Sequence, residues 1–329
     1  MTAVPPTVAA VFGAAGPALA DRARTVDALI TTLVDTIPGP TGSRAAGVVA
    51  AGGKRLRPLL ALLLAGDGDA PADHVEGSLL VSAAAVELVH VATLVHDDVL
   101  DRAPLRRGVQ TVWATDGPAA ATGAGDALLA AAFQAVAADC PADVARILAT
   151  AASSLAAGEL MQRADAYRLD ITTERYEERV IGKTAALFEA ACRIGAVHGD
   201  VGEDLAGGIG RDLGVAFQML DDLLDIEGDP AVTGKARGTD LLDGTVTLPL
   251  AIAARREPSI AAVDLPSLDI PAAAALCDQI VASGACEEVR GMAYARIDAA
   301  QSAISGLPGA PSRREALALA ARGLVDRTS

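Results

Sequence analysis

The chain has 329 residues, 51% of them apolar and 2% aromatic, with a formal net charge of −15. That length and apolar content suffice for a substantial buried core. The acidic balance argues against nucleic acid or an anionic membrane as the main partner, because either requires a basic surface, and an anionic substrate would need local cations.

From the N-terminus, the Ala/Gly/Pro-rich stretch Thr2 to Ala20 is interrupted by Pro5, Pro6 and Pro17. It lacks the basic start of a signal peptide, so residues 1–20 read as a flexible arm. Alanine and leucine dominate thereafter and apolar positions recur at helical spacing, which predicts an all-α chain. Helices are expected over 21–36, 55–65, 74–102, 119–138, 142–166, 173–199, 203–227, 246–256, 272–283, 286–305 and 312–324. Breaks are expected at Ile37 to Gly42, Gly66 to Pro71, Gly228 to Gly244 and Gly306 to Pro311, and no strand is expected. The longest strongly apolar run, Leu59 to Ala65, is far short of the ~20 residues of a membrane span, so no transmembrane segment is predicted. No linker is long or polar enough to divide the chain, which predicts one domain over 1–329. Cys140, Cys192, Cys277 and Cys286 lack metal-ligand spacing and are too few for a disulfide scaffold, so reduced thiols and a cytoplasmic setting are expected.

The chemistry is carried by an acidic pattern written twice, Asp97-Asp98-Val99-Leu100-Asp101 and Asp221-Asp222-Leu223-Leu224-Asp225. On a helix, positions i and i+4 share a face, so Asp97 pairs with Asp101 and Asp221 with Asp225. Like charges at that spacing repel, and bound cations would relieve them. A single cluster could be a solvated helix end, but two copies at identical spacing inside apolar helices are not what a solvated face requires. Oxygen-only ligands favour Mg²⁺, which takes one or two carboxylates and completes its shell with water and phosphate oxygens.

Cations occur in two places. In Gly52-Gly53-Lys54-Arg55-Leu56-Arg57-Pro58, Lys54 and Arg57 can face one phosphate while Arg55 points elsewhere. Pro58 suits the first turn of the following helix. Arg106 and Arg107 follow the first acidic helix, and as neighbours they splay towards different phosphates. His90 lies two turns before Asp97 on the same stripe, and His96 adjoins Asp97 as a candidate partner of its carboxylate.

These segments, with Leu105-Arg106-Arg107-Gly108, Gly182-Lys183-Thr184-Ala185 and Phe217-Gln218 ahead of the second acidic motif, stand in the order and spacing of the trans-prenyltransferases. The sequence resembles that polyprenyl diphosphate synthase family from about residue 43 to 254, and more weakly at Leu307-Pro308 and Arg327. The resemblance implies an isoprenoid-synthase-type helical bundle around a central active-site cavity, with the acidic motifs on two facing helices, commonly as a homodimer. It implies Asp97, Asp98, Asp101, Asp221, Asp222 and Asp225 as catalytic carboxylates. Asp97, Asp101, Asp221 and Asp225 among them are metal ligands, for two or three Mg²⁺ bridged by substrate diphosphate. It assigns Lys54, Arg57, His90 and Arg107 to isopentenyl diphosphate, and Arg106, Lys183, Thr184, Gln218 and Lys235 to an allylic diphosphate.

One departure stands out. The family commonly has a second lysine in a Gly-Lys-x-Thr-Leu-Pro segment, where this chain reads Gly244-Thr245-Val246-Thr247-Leu248-Pro249. Val89, Ala92 and Thr93, with Ala85 and Ser82 beyond, line the side of the first acidic helix where a growing hydrocarbon would lie. Aromatics there accompany short products in the family, so their absence implies products longer than fifteen carbons unless Phe133 or Met161 supplies the plug. A class I terpene cyclase would not need the isopentenyl anchor. A non-catalytic partner subunit would be expected to have eroded acidic motifs, and here both are complete.

Overall fold

The computed structural model describes residues 6–66, 73–229 and 236–323. The fold is helical, as composition predicts. The contacts resolve into two compact units, each built from separated stretches of chain: residues 1–152, 187–207 and 306–320 form the first, and 153–186, 208–305 and 321–329 the second.

In the first unit, α1 (Pro6–Ala15) and α2 (Pro17–Asp35) replace the expected flexible arm over residues 6–20. Pro17 occupies the first turn of α2, where its missing N–H costs nothing, and Val11 and Leu19 are buried. The expected break at Ile37 to Gly42 also gives way to a helix, α3 (Gly39–Ala50), with Pro40 in its first turn. Only glycine fits at 42, because a Cβ there would lie 2.0 Å from the Ile37 carbonyl oxygen.

Next come α4 (Leu56–Ala65) and α5 (Asp73–Leu100). A hairpin then pairs β1 (Leu105–Arg106) with β2 (Val109–Gln110). It is followed by α6 (Val112–Asp116), α7 (Pro118–Asp139) and α8 (Ala142–Ala164), the last of which continues into the second unit. Helix α5 packs on α2, α4 and α7, and its middle is apolar nearly all round, as a central helix must be.

By length and composition, His74–Leu100, Pro118–Asp139 and Ala142–Ala164 could each cross a membrane, which a search for continuous apolar runs misses in alanine-rich helices. In the first of them, 78% of the most apolar window is buried inside the protein, so its apolarity belongs to the core.

The second unit contains α9 (Thr173–Val180), a π-helical turn (Ile181–Ala185) and the start of α10 (Ala186–Val197), where one uninterrupted helix was expected. It also holds most of α11 (Glu203–Glu227), then α12 (Thr239–Leu242), α13 (Leu248–Arg256), α14 (Pro258–Ala261), α15 (Ile270–Ala282) and α16 (Ala285–Ser305). Its core gathers Tyr176, Val180, Met219, Leu223, Leu250, Ile252, Leu276 and Val289.

The C-terminal helix α17 (Pro311–Arg322) returns to the first unit through Arg313. This buried guanidinium donates through Nε to the Leu63 carbonyl at 2.8 Å, through Nη2 to the Leu64 carbonyl, and through Nη1 to Asp200 at 2.6 Å. It thereby satisfies the last carbonyls of α4, which have no partner within their own helix. Arg313→Ala should lower stability by about 3 kcal/mol in urea denaturation, because two buried acceptors lose their donor. Arg313→Lys should recover little, since an ammonium cannot reproduce the fork.

Candidate active site

The first acidic motif closes α5. Asp97 is half-buried and Asp101 exposed, while Asp98 turns into the protein. The Asp98 Oδ1 accepts from Arg106 Nε at 2.7 Å. Burial pushes this carboxyl up from its usual range, and Arg106 offsets part of that.

The second motif repeats the arrangement on α11. Asp221 is exposed, and Asp222 is buried with both oxygens engaged, by Tyr176 Oη at 2.7 Å and Gln218 Nε2 at 2.8 Å. Burial, aided by the neighbouring Asp221 charge, pushes the Asp222 carboxyl up to about 7. The half-buried Asp225 accepts the Thr239 and Asp240 backbone N–H groups, each at 3.1 Å, and so caps α12. In both copies the middle aspartate, expected among the catalytic carboxylates, is consumed by protein donors. Of the outer aspartates, Asp101 and Asp221 are exposed and Asp97 and Asp225 half-buried.

Among the described residues, no three His, Cys, Asp or Glu side chains gather to hold a metal ion unaided. The donor chemistry nevertheless fits Mg²⁺, which needs only one or two carboxylates when phosphate and water complete its shell.

Beside the first motif, cations converge on His90. The Gly52–Arg55 loop enters α4 with Gly52 and Arg55 at positive φ, 81° and 51°. Arg55 is tied to Asp27 at 3.0 Å and Glu87 at 2.9 Å, which makes it a structural brace. Arg57 lies with its guanidinium carbon 4.5 Å from the centroid of the buried Phe188 ring, a cation–π contact that fixes its orientation. Lys54 is exposed beside it.

The hairpin turn places Arg107 and Gly108 both at positive φ, 53° and 77°, as a two-residue type I′ turn requires. Consecutive arginines therefore diverge: Arg106 reaches Asp98, and Arg107 lies against Gly53, where a Cβ would be 3.1 Å from its Nη1. The His90 imidazole is held well below its ordinary pKa, chiefly by burial and then by Arg57, Arg107, Arg106 and Arg55. It is therefore neutral at pH 7, with one nitrogen to donate. His96 lies with its Nε2 3.3 Å from Asp126. It crosses Gly125, where a Cβ would meet its Nε2 at 2.3 Å.

On the adjacent face of α5, Val91, Leu94 and Asp98 join Arg106, Arg107 and residues of α3 in lining a pocket of about 460 Å³. The arginine pair thus borders open volume and has room to turn towards an anion.

In the second unit, Lys183 and Thr184 sit on the π-helical turn, a local widening that often marks functional sites. Lys183 Nζ is 2.6 Å from Glu159, which also accepts from Arg163. Thr184 donates to Gln218 Oε1 at 2.7 Å. Lys235 lies outside the described residues. Of the chain-length positions, Val89 and Ala92 are fully buried, and Thr93 is half-buried with its hydroxyl on the His90 carbonyl at 2.8 Å.

Sequence reasoning missed Tyr176, Glu159 and Asp240. The half-buried Asp240 is pushed well up by burial and then by Asp225, Asp222, Asp221 and Asp243. None of the three carries a local motif, and only tertiary partners reveal them.

The Polyprenyl synthetase family model matches residues 43–265. The chain is 35% identical over 296 residues to heptaprenyl diphosphate synthase component 2 of Geobacillus stearothermophilus, covering 88% of this chain and 91% of the relative.

The chain belongs to the polyprenyl synthetase family.

Octaprenyl diphosphate synthase of Escherichia coli is 36% identical over 282 residues, with 83% and 86% covered. The crystal structure of polyprenyl synthase from Caulobacter crescentus, complexed with calcium and isoprenyl diphosphate, superposes with a TM-score of 0.88 at 34% identity, covering 98% of both chains. As a polyprenyl synthetase the protein is a prenyltransferase, its helices form the isoprenoid-synthase fold, and its family's substrates are isopentenyl diphosphate and an allylic diphosphate.

The π-helical turn depends on close backbone approach from α8. A Cβ at Gly158 would lie 2.3 Å from the Lys183 nitrogen, and one at Gly182 would lie 3.0 Å from the Ser154 carbonyl oxygen. Gly158→Ala should displace the turn and raise KM for the allylic substrate at least tenfold, about 1.4 kcal/mol. Steady-state kinetics with each substrate varied should show KM for isopentenyl diphosphate nearly unchanged.

Proposed function

We propose that this polyprenyl synthetase condenses isopentenyl diphosphate with an allylic diphosphate, with the help of two or three Mg²⁺, to give products longer than fifteen carbons. The observation that carries this reading is the acidic motif repeated on two helices, each with its middle aspartate buried against protein donors and one outer aspartate, Asp101 or Asp221, exposed.

Asp97 and Asp101 of the first motif, and Asp221 with Asp225 of the second, would hold the metal, which when bound supplies charge to neutralise the departing diphosphate. Arg106, Lys183, Thr184, Gln218 and Lys235 would bind that diphosphate as the allylic C–O bond breaks. Lys54, Arg57, His90 and Arg107 would hold isopentenyl diphosphate with its double bond beside the allylic cation, so that one C–C bond forms and the released diphosphate takes the departing proton. A neutral His90 suits this role as a hydrogen-bond donor among arginines. No side-chain nucleophile is required.

The small residues Val89, Ala92 and Thr93 leave the first acidic helix without an aromatic stop, which supports a long product. Thr245, in place of the family's usual lysine, would weaken the hold on the allylic diphosphate, with Lys235 retaining one cation. A single Polyprenyl synthetase domain, a cytoplasmic setting and a homodimer complete the reading. For the dimer, the support is apolar surface left open on α8, where Leu160 is 71% exposed.

One relative is by name a component of a heptaprenyl synthase, which favours as a second reading a chain that requires another subunit.

Purified protein incubated with Mg²⁺, isopentenyl diphosphate and, separately, five-, ten-, fifteen- and twenty-carbon allylic diphosphates should yield products above fifteen carbons. Ala92→Phe should shorten them. Failure to extend any primer would overturn the reading, and activity appearing only on addition of a second subunit would select the heteromeric alternative.

A further inference from the structure

Thr184, Gln218, Asp222 and Tyr176 form one unbroken hydrogen-bonded chain, with links of 2.7, 2.8 and 2.7 Å. From it we infer that Tyr176 is a positioning residue for the second acidic motif and for the Gln218 amide beside it. The inference rests on the proposed function and deepens it.

Gln218 turns its NH₂ to Asp222 Oδ1. Its carbonyl oxygen then faces Thr184, whose hydroxyl donates. The orientation of the whole chain is set at the Asp222 end, and Tyr176 holds that end in place. The tyrosine is itself immobile. Its ring is 1% exposed in the core of the second unit. The Arg179 guanidinium carbon lies 5.4 Å from the ring centroid, and that buried arginine donates to the Val246 carbonyl at 2.6 Å.

The consequence for the motif is geometric. With Oδ2 on Tyr176 and Oδ1 on Gln218, Asp222 has each oxygen committed to the protein. Asp221 is then the exposed carboxylate α11 presents, with Asp225 one turn on braced by the Thr239 and Asp240 N–H groups, and Gln218 has a second N–H to offer a phosphate oxygen. Removing the Tyr176 hydroxyl frees one Asp222 oxygen and lets the carboxylate and the Gln218 amide rotate. The anion-binding geometry loosens while the apolar core stays filled.

Tyr176→Phe deletes only that hydroxyl. Isothermal titration calorimetry with inorganic diphosphate in saturating Mg²⁺ should show affinity about tenfold weaker than wild type, the scale of one charge-assisted hydrogen bond. The Mg²⁺ concentration for half-maximal activity and the KM for the allylic diphosphate should rise by similar factors, with KM for isopentenyl diphosphate within twofold. Asp222→Asn, which keeps an acceptor for Tyr176 but no longer dictates how Gln218 faces it, should weaken diphosphate binding in the same direction.

Equal affinity in Tyr176→Phe and wild type would overturn the inference and leave the proposed function standing. A lower unfolding midpoint with unchanged affinity and unchanged Mg²⁺ midpoint would overturn it too, because it reports a structural role alone. Wild-type protein that binds no diphosphate would overturn both.

Discussion

The constraint on which the site depends is the repulsion between carboxylates forced onto one helical face. Three aspartates within five residues cannot all remain ionised and unrelieved at the end of an apolar helix. The fold relieves one in each motif internally, Asp98 through Arg106 and Asp222 through Tyr176 and Gln218. Asp225 is further braced by two backbone N–H groups, while Asp101 and Asp221 stay exposed, where a cation and a phosphate can reach them. That division, repeated in two places with unrelated partners, is what a cation site assembled together with its substrate requires.

The cations are arranged by backbone devices. A type I′ turn separates Arg106 from Arg107, a left-handed Arg55 starts α4, and a π-helical turn presents Lys183 and Thr184. Two of these devices lean on a glycine: Gly53 lies close under the Arg107 guanidinium, and a Cβ at Gly158 would collide with the Lys183 backbone. The counter-charges are equally selective. Glu87 and Asp27 occupy Arg55, which leaves Arg57 oriented by the Phe188 ring. Ion pairing with Asp27 and Glu87 makes Arg55 a brace, and an aromatic face helps to orient Arg57, which the reaction would use.

The helices and the motif-bearing residues were legible in the sequence, because apolar period and fixed spacing are local signals. Helix α1, the first turn of α2 and helix α3 were not. Their prolines and glycines signal breaks when read singly, yet Pro17 and Pro40 sit in first turns, where proline is at home. The hairpin escaped because its strands are two residues long, too short for alternation to show. The different fates of Asp97 and Asp98 were also hidden. The spacing says which aspartates share a face. It does not say that a tyrosine 46 residues away takes Asp222 out of the set. Arg313, which closes α4 from about 250 residues downstream, is likewise a tertiary fact without a local pattern.

The central claim is that the outer carboxylates are completed by metal and diphosphate together. The most direct measurement is thermal unfolding with Mg²⁺ alone, inorganic diphosphate alone, and both. Ligands that bind only the folded state stabilise it by mass action, by about 2.7 kcal/mol at a hundredfold excess over Kd. The account predicts little shift with either component alone and a clear rise in Tm with both, lost in Asp97→Asn and in Asp221→Asn. A midpoint that stays the same in all three conditions, or a rise with both that survives these substitutions, would contradict it.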